Sequence, residues 1–145
     1  MPSVSNRPAR IFAMQLLYAV EITGEAPGYC LPGVLEGNPI SNGMKRFGMK
    51  LIDGVLERKE EFRNIFLEII PNWSPERLSA IDKIILQIAM TEMLIADTPI
   101  KVIFSEALQI ANKYSDEDSP SFVNGVLQEF AKLKIPNFAT PQPHF

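Results

Sequence analysis

Side chains that commonly do chemistry in proteins are scarce in this chain. There is one cysteine, Cys30, and one histidine, His144, which is the second-last residue. A disulfide within the chain and a zinc site built on cysteines are therefore excluded. A catalytic base must be held in fixed geometry, and chain ends are usually mobile, so we do not expect a Ser-His-Asp or Cys-His site that uses His144. No metal-binding or cofactor-binding motif is recognised either, so we predict no metal and no cofactor.

An acidic run precedes the predicted start of a helix. The run consists of Asp116, Glu117 and Asp118, followed by Ser119-Pro120. One interpretation is that the carboxylates complement the helix dipole, each contributing roughly 0.3–1 kcal/mol. The alternative is that Asp118 and Ser119 contact a ligand, because carboxylates accept hydrogen bonds from the amino groups of bases.

Four further side chains are candidates for contact with a nucleic acid. Arg7 and Arg10 lie at the start of the first predicted helix, where positive charge is slightly unfavourable. A phosphate partner would account for both arginines, and solvated surface charge is the alternative. Tyr114 and Phe122 flank the acidic run. Phe122 is expected in the core by default. Alternatively, one or both aromatic rings stack on an unpaired base, as in many proteins that bind single-stranded RNA.

The elements that must position these side chains are helices. Apolar residues recur with the helical period, and almost nothing alternates with period two. Helical segments are predicted to begin at Pro8, at Asn42, at Ser74-Pro75, at Ser79, at Pro99 and at Ser119. Asn42 is expected to cap a helical pattern that continues to Ile70, and Ser74-Pro75 has the form of a cap followed by a first helical residue. Ser79 and Asp82 have the spacing of a capping box. We therefore predict an all-α protein of about six or seven helices.

Proline and glycine mark the breaks between the helical segments. Residues 23–42 are rich in both and are predicted to form a loop, with a short helical turn at 31–36. Residues 71–75 separate two halves of the chain, and a Pro-rich tail occupies 136–145. Gly125 lies inside the last helix, where glycine costs roughly 0.5–1 kcal/mol relative to alanine. We expect close helix packing to compensate, or alternatively the close approach of a ligand.

The first predicted helix has an apolar stripe beyond the one that faces a core. The second stripe consists of Ile11, Met14, Tyr18 and Ile22. An exposed apolar stripe usually marks a partner surface, and tyrosine suits one because it offers apolar area and a hydroxyl. The alternative is a central helix that is buried on all sides.

Composition is that of an ordinary soluble globular domain. The chain has 145 residues, of which 46% are hydrophobic and 21% are charged. No apolar run is long enough to span a membrane, and no secretion signal is recognised, so we expect a cytoplasmic protein. The net charge of −3 argues against non-specific coating of nucleic acid, although a local basic site remains compatible with it.

Several blocks of residues follow one another in a recognisable order. The most specific is Phe-Val-Asn-Gly-Val-Leu at 122–127, preceded by Asp118-Ser119. The other blocks are Ala9-Arg10, Ala-Met-Gln-Leu-Leu-Tyr at 13–18, Leu-Ile-Asp-Gly-Val at 51–55, Trp-Ser-Pro-Glu-Arg-Leu at 73–78, Asp-Lys-Ile-Ile-Leu-Gln-Ile-Ala at 82–89, Pro-Ile-Lys-Val-Ile at 99–103 and Ser-Glu-Ala at 105–107. Together the blocks resemble the NusB family of bacterial transcription antitermination factors.

The resemblance implies two three-helix subdomains, about 1–72 and 73–135, and no catalysis. It implies binding of boxA-type single-stranded RNA together with NusE, a small-subunit ribosomal protein. It further implies antitermination, notably of ribosomal RNA operons, within an RNA polymerase antitermination complex. The implied RNA-side residues are Arg7, Arg10, Gln15, Tyr114, Asp118, Ser119 and Phe122. The implied NusE-side residues are Tyr18 and Asp82.

The chain departs from the family pattern at Pro8, Ile11, Gln87 and Thr91. Its first segment is also poorer in arginine than is common in the family, which predicts fewer phosphate contacts and a shallower salt dependence. The alternative function is therefore a divergent NusB-like helical module for protein interaction with little RNA affinity. Both a monomer and a homodimer are compatible with the sequence.

Overall fold

The computed structural model describes residues 6–74 and 78–138. In those two ranges the chain forms seven α-helices and no strand. The helices are α1 (Arg7–Thr23), α2 (Pro27–Gly37), α3 (Asn42–Glu57), α4 (Lys59–Ile69), α5 (Ala80–Ile95), α6 (Ile100–Tyr114) and α7 (Ser119–Lys134). The prediction of an all-α protein is confirmed. None of these helices is both long enough and apolar enough to cross a bilayer.

The segment predicted to be a loop contains a helix, α2, which includes the predicted turn at 31–36 and extends beyond it, so the loop prediction is wrong over 27–30 and at Gly37. Pro27 occupies the first helical position, where the absent N–H has no helical partner to lose. The helix then continues through Pro32, although proline in a helix interior is unfavourable. No residue of α2 is buried, but its half-buried apolar side chains pack on the core beside α1. Tertiary packing therefore outweighs the low local propensity.

Caps and breaks define the ends of the neighbouring helices. Gly24 ends α1 with φ of 74°, the left-handed conformation that glycine adopts at little cost. The cap of α3 is Ser41, whose hydroxyl accepts a hydrogen bond from the Met44 amide at 3.2 Å, so the expected cap at Asn42 is displaced by one residue. The helical pattern from 42 to 70 is interrupted at Arg58, which separates α3 from α4.

Helix α5 is the central element. It packs against α1, α3, α6 and α7, and every residue from Ile84 to Glu92 is buried. Its cap is Ser79, as predicted, because the serine hydroxyl accepts a hydrogen bond from the Asp82 amide at 3.1 Å. Helices α4 and α7 also meet, and the rings of Phe62 and Phe130 lie edge to face at 6.3 Å. The helices on both sides of residues 71–75 therefore contribute to one apolar core.

Two glycines allow the helices to approach closely, but Gly125 is not one of them. A Cβ atom at Gly48 would lie 2.5 Å from Cδ2 of Phe12 on α1. A Cβ atom at Gly54 would lie 2.5 Å from Cγ2 of Thr91 on α5. At Gly125, apart from its chain neighbours and the adjacent backbone of α7, no heavy atom of residues 6–74 and 78–138 lies within 4 Å of the corresponding position. The expectation of close helix packing at Gly125 is therefore wrong.

Two sequence expectations fall partly outside the described ranges. The pair Ser74-Pro75, which has the appearance of a helix cap, is described only at Ser74. The Pro-rich tail is described only as far as Phe138, whose ring stacks on that of Phe104 with 6.1 Å between the centroids. His144 also lies outside the described residues.

Candidate nucleic-acid interface

Arg10, an expected phosphate contact, is held inside the protein. Its side chain is 4% exposed, and that of Glu92 is 1% exposed. Nε and Nη2 of Arg10 donate hydrogen bonds to the two carboxylate oxygens of Glu92, at 2.8 and 2.6 Å. Nη1 donates to Glu106 at 3.5 Å, and the guanidinium lies 5.7 Å from the centroid of the Phe47 ring. A phosphate contact by Arg10 stays a prediction, and it would require this buried ion pair to open.

Arg7 is the more accessible of the two arginines. Its side chain is 37% exposed and lies where the start of α1 meets α6. Nε and Nη2 donate to the two oxygens of Glu106 at 3.0 and 2.9 Å, and Nη2 also donates to Oε1 of Gln109 at 2.8 Å. The hydrogen bonding of Arg7 to the carboxylate of Glu106, which accepts from it, raises the pKa of Arg7; burial lowers this pKa, and the Coulombic attraction of Glu106 raises it.

These contacts form one charge cluster, which we call the arginine–glutamate cluster: Arg7, Arg10, Glu92 and Glu106. Two positive and two negative charges cancel within it. Arg7 is the member that reaches the surface, since the other three side chains are at most 7% exposed. An anion approaching from solvent therefore meets Arg7 first. The glutamates were not identified from the sequence, although Glu92 interrupts an otherwise apolar stretch of α5 and could have indicated a buried ion pair.

The acidic run forms an exposed turn between α6 and α7. Asp118 is the residue before α7, and its side chain makes no capping hydrogen bond. Ser119 is 3% exposed, and its hydroxyl donates to Oδ2 of Asp82 at 2.9 Å. The hydroxyl of Ser115 donates to the other oxygen, Oδ1, at 2.6 Å. An RNA contact by Ser119 stays a prediction. Such a contact would compete with the hydrogen bond that the Ser119 hydroxyl donates to the internal carboxylate of Asp82.

The candidate stacking aromatics flank this turn. Tyr114 is 36% exposed at the end of α6, and Nζ of Lys113 lies 5.4 Å from its ring centroid. Phe122 is half-buried and packs against the apolar core. One part of its ring therefore packs against the core, and another part is accessible to solvent. Gln15 is half-buried on α1, and its Oε1 accepts a hydrogen bond from Nδ2 of Asn38 at 3.2 Å.

The second stripe of α1 is divided between core and surface. Tyr18 and Ile22 are 39% and 62% exposed, as expected for part of a partner surface. Ile11 is half-buried and Met14 is 3% exposed, so the stripe is partly exposed and α1 is not a helix buried on all sides. Asp82 is 8% exposed and accepts two internal hydrogen bonds, so its role as a NusE contact stays a prediction.

Within residues 6–74 and 78–138, no group of three or more His, Cys, Asp or Glu side chains has a geometry that could hold a metal ion. The site instead combines a surface arginine, two accessible aromatic rings and an exposed acidic turn on an all-α scaffold. These groups are of the kind that make non-covalent contacts with a partner, and they lie on a scaffold built of helices.

Comparison with known proteins identifies the family. The NusB family model matches residues 7–132. The transcription antitermination protein NusB of Macrococcus caseolyticus is 41% identical over 131 residues, which cover 90% of this chain and 99% of that protein. The corresponding protein of Geobacter sulfurreducens is 36% identical over 129 residues, which cover 88% of this chain and 94% of that protein. The chain therefore belongs to the NusB family, and this membership confirms the resemblance and the expectation that it is not an enzyme.

A solved structure agrees with this assignment. A chain in a crystal structure of antitermination factors NusB and NusE in complex with double-stranded RNA superposes with a TM-score of 0.79 at 28% identity. The match covers 88% of this chain and 96% of that one. The predicted NusB-like fold is thus confirmed.

Proposed function

We propose that the chain is an RNA-binding transcription antitermination factor that binds boxA-type single-stranded RNA together with NusE. In this proposal it acts in the cytoplasm, within an RNA polymerase antitermination complex, and supports transcription of ribosomal RNA operons. The observation that carries the proposal is the similarity to a chain from a NusB–NusE complex with RNA. That complex contains double-stranded RNA, and the preference for single-stranded boxA RNA is what the family resemblance implies.

The proposed RNA surface follows α6 from the arginine–glutamate cluster to the acidic turn. Gln109, which accepts a hydrogen bond from Arg7, precedes Tyr114 by five positions on the same helix. At 1.5 Å and 100° per residue, the two lie roughly 7–8 Å apart along the axis and about 140° apart around it. We propose that one RNA strand passes around this helix, with a phosphate at Arg7 and a base at Tyr114 or Phe122. In this proposal Asp118 accepts hydrogen bonds from base amino groups.

The proposed RNA site also includes Gln15, Arg10 and Ser119, which have different roles in it. The side-chain amide of Gln15 is half-buried near the end of α2, where it accepts a hydrogen bond from Asn38. Arg10 and Ser119 are buried, and we propose that they support the surface from inside, Arg10 through Glu106 and Ser119 through Asp82.

The proposed NusE surface centres on the C-terminal half of α1. Tyr18 and Ile22 supply exposed apolar area, which a protein partner would cover. The adjacent Glu21 pairs with Lys83 of α5 at 2.6 Å, so α5 also reaches this side of the molecule. Asp82 precedes Lys83, and its own contribution to NusE binding depends on release of its internal hydrogen bonds.

One observation favours the alternative of a protein-interaction module with little RNA affinity. The two arginines expected to contact phosphate are both paired with glutamates, so their charges are offset inside the free protein. With a net charge of −3, the remaining surface provides little general attraction for RNA.

A binding experiment separates the two functions. Fluorescence anisotropy would compare labelled boxA RNA, a scrambled single strand of equal length, and a duplex, each with and without NusE and at several salt concentrations. We expect preference for the boxA strand, tighter binding with NusE, and an affinity that falls with salt. Retained NusE binding with equally weak binding of all three RNAs would support the alternative.

A further inference from the structure

A single buried carboxylate holds both ends of the acidic turn. The carboxylate of Asp82 accepts hydrogen bonds from the hydroxyls of Ser115, at 2.6 Å, and Ser119, at 2.9 Å. The two hydroxyl oxygens are themselves 2.9 Å apart. Each hydroxyl has one proton, so when both donate to Asp82 the contact between them is a close approach and not a third hydrogen bond.

Asp82 is fixed independently of the turn. It lies in the first turn of α5, where the Ser79 hydroxyl accepts a hydrogen bond from its backbone amide at 3.1 Å. Helix α5 is the most enclosed helix of the fold and packs against four others. The carboxylate is therefore a rigid anchor, and the two serines attach the less constrained turn to it.

The residues between the two serines are the ones that face solvent. Residues 116–118 are exposed, and Asp118 lies directly before Ser119. The backbone amide of Phe122 donates to the carbonyl of Asp118 at 3.2 Å, so the orientation of both residues depends on how α7 begins. A change in the hydrogen bonds at Ser119 would thus move the carboxylate of Asp118 and the ring of Phe122, which are the two groups proposed to contact RNA.

We infer that Asp82 is a positioning residue for RNA recognition, acting through Ser115 and Ser119 to hold Asp118 and Phe122 in place. The inference rests on the proposed RNA-binding function. It gives the carboxylate a different use from the NusE contact implied by the family resemblance. Since ionised acceptors make stronger hydrogen bonds than neutral ones, the charge of Asp82 contributes to the hold on the turn.

The test compares Asp82→Ala with Asp82→Asn, which retains one acceptor oxygen of the same geometry. The control is Asp53→Ala, which removes an equal charge from an exposed position on α3. We expect Asp82→Ala to reduce the ratio of boxA to scrambled RNA affinity by at least about fivefold, because two charge-assisted hydrogen bonds are lost. Asp82→Asn should restore part of this ratio, because it retains one acceptor oxygen for the two serine hydroxyls.

The double variant Ser115→Ala, Ser119→Ala provides a second route to the same interaction. It should reproduce the loss of RNA preference, and combination with Asp82→Ala should add little because the same hydrogen bonds are removed. Hydrogen exchange of the amides from 116 to 122 should accelerate in every variant that breaks these hydrogen bonds. This measurement requires no RNA, and the double variant serves if Asp82→Ala does not fold.

The outcomes distinguish failure of this inference from failure of the proposed function. Lost NusE binding with unchanged RNA preference in Asp82→Ala would assign Asp82 to the partner surface and overturn the inference. Unchanged exchange of the 116–122 amides would overturn it whatever the RNA results. If the unmodified protein shows no preference for boxA RNA, the proposed function fails. Accelerated exchange would then leave Asp82 an anchor of the turn, without the role in RNA recognition inferred here.

Discussion

The guanidinium of Arg10 and the carboxylate of Glu92 form a two-point ion pair between α1 and α5, with N–O distances of 2.8 and 2.6 Å. Both side chains are almost fully enclosed. Loss of one partner would leave an uncompensated charge in the interior, which is far more costly than loss of a surface ion pair. The pair therefore fixes α1 against the central helix and also supports Arg7, through the Glu106 that the two arginines share.

Replacement of Arg10 by alanine should destabilise the fold. We expect a loss of about 3–5 kcal/mol, because Glu92 is left buried without its partner. For a chain of this length, that corresponds to a fall in Tm of about 6–20 °C, measurable by circular dichroism. Arg46→Ala, at an exposed position of α3, is the control and should change stability by less than about 0.5 kcal/mol. Normal stability with abolished RNA binding would instead make Arg10 a direct contact.

Replacement of Arg7 by alanine should weaken RNA binding and also lower stability. The Arg7 side chain is partly exposed, but its partner Glu106 is buried and would keep the longer 3.5 Å contact with Arg10, so we expect a stability loss of about 1–3 kcal/mol. Affinity for all single-stranded RNAs should fall by a similar factor, and the slope of log K against log salt should become shallower by about 0.7 if one phosphate contact is lost. Arg63→Ala on α4 controls for the change in net charge. An unchanged salt slope would remove Arg7 from the RNA surface.

Asp118 and Phe122 should have separable effects on RNA. Asp118→Asn should change the preference among RNA sequences and leave stability unchanged, because this side chain makes no capping hydrogen bond. Phe122→Ala should weaken RNA binding by roughly 1–3 kcal/mol if the ring stacks on a base. Anisotropy titrations and thermal melts would be read together. A stability loss of about 3–5 kcal/mol in Phe122→Ala would assign the ring to the core.

Tyr18 should serve partner binding and not folding. Its side chain is 39% exposed, so Tyr18→Ala should lower the Tm only slightly. Calorimetry should show weaker NusE binding by about 2 kcal/mol or more if the ring is an interface hot spot. Tyr29→Ala, at the 73% exposed tyrosine of α2, is the matched control. A large fall in Tm with NusE binding intact would contradict the assignment.

Replacement by alanine should have different effects on stability at Gly48, Gly54 and Gly125. Gly125→Ala should stabilise the protein by roughly 0.5–1 kcal/mol, because the new methyl group meets open space and alanine favours the helix. Gly48→Ala and Gly54→Ala should destabilise it, because the methyl group would overlap Phe12 or Thr91. Denaturant unfolding would measure all three. A stable Gly125→Ala protein that no longer binds RNA or NusE would show that a ligand approaches the backbone there.

The sequence by itself determined the features that depend on neighbouring residues. The helical period of the apolar residues predicts an all-α chain, and the serine at position 79 predicts the start of α5 because a cap is a contact across three residues. The ordered blocks, above all 122–127, were sufficient to indicate the family. Exposure of Tyr18 also followed from the presence of a second apolar stripe on α1.

Tertiary structure alone decided which polar groups turn inward. Arg10 meets Glu92 across 82 positions of sequence, and Asp82 meets Ser115 and Ser119 across 33 and 37 positions. Periodicity and capping patterns carry no information about contacts between residues so far apart in sequence. From the sequence alone, these polar side chains are therefore expected at the surface. The same reason explains α2, whose prolines and glycines oppose a helix locally and whose packing beside α1 compensates for them.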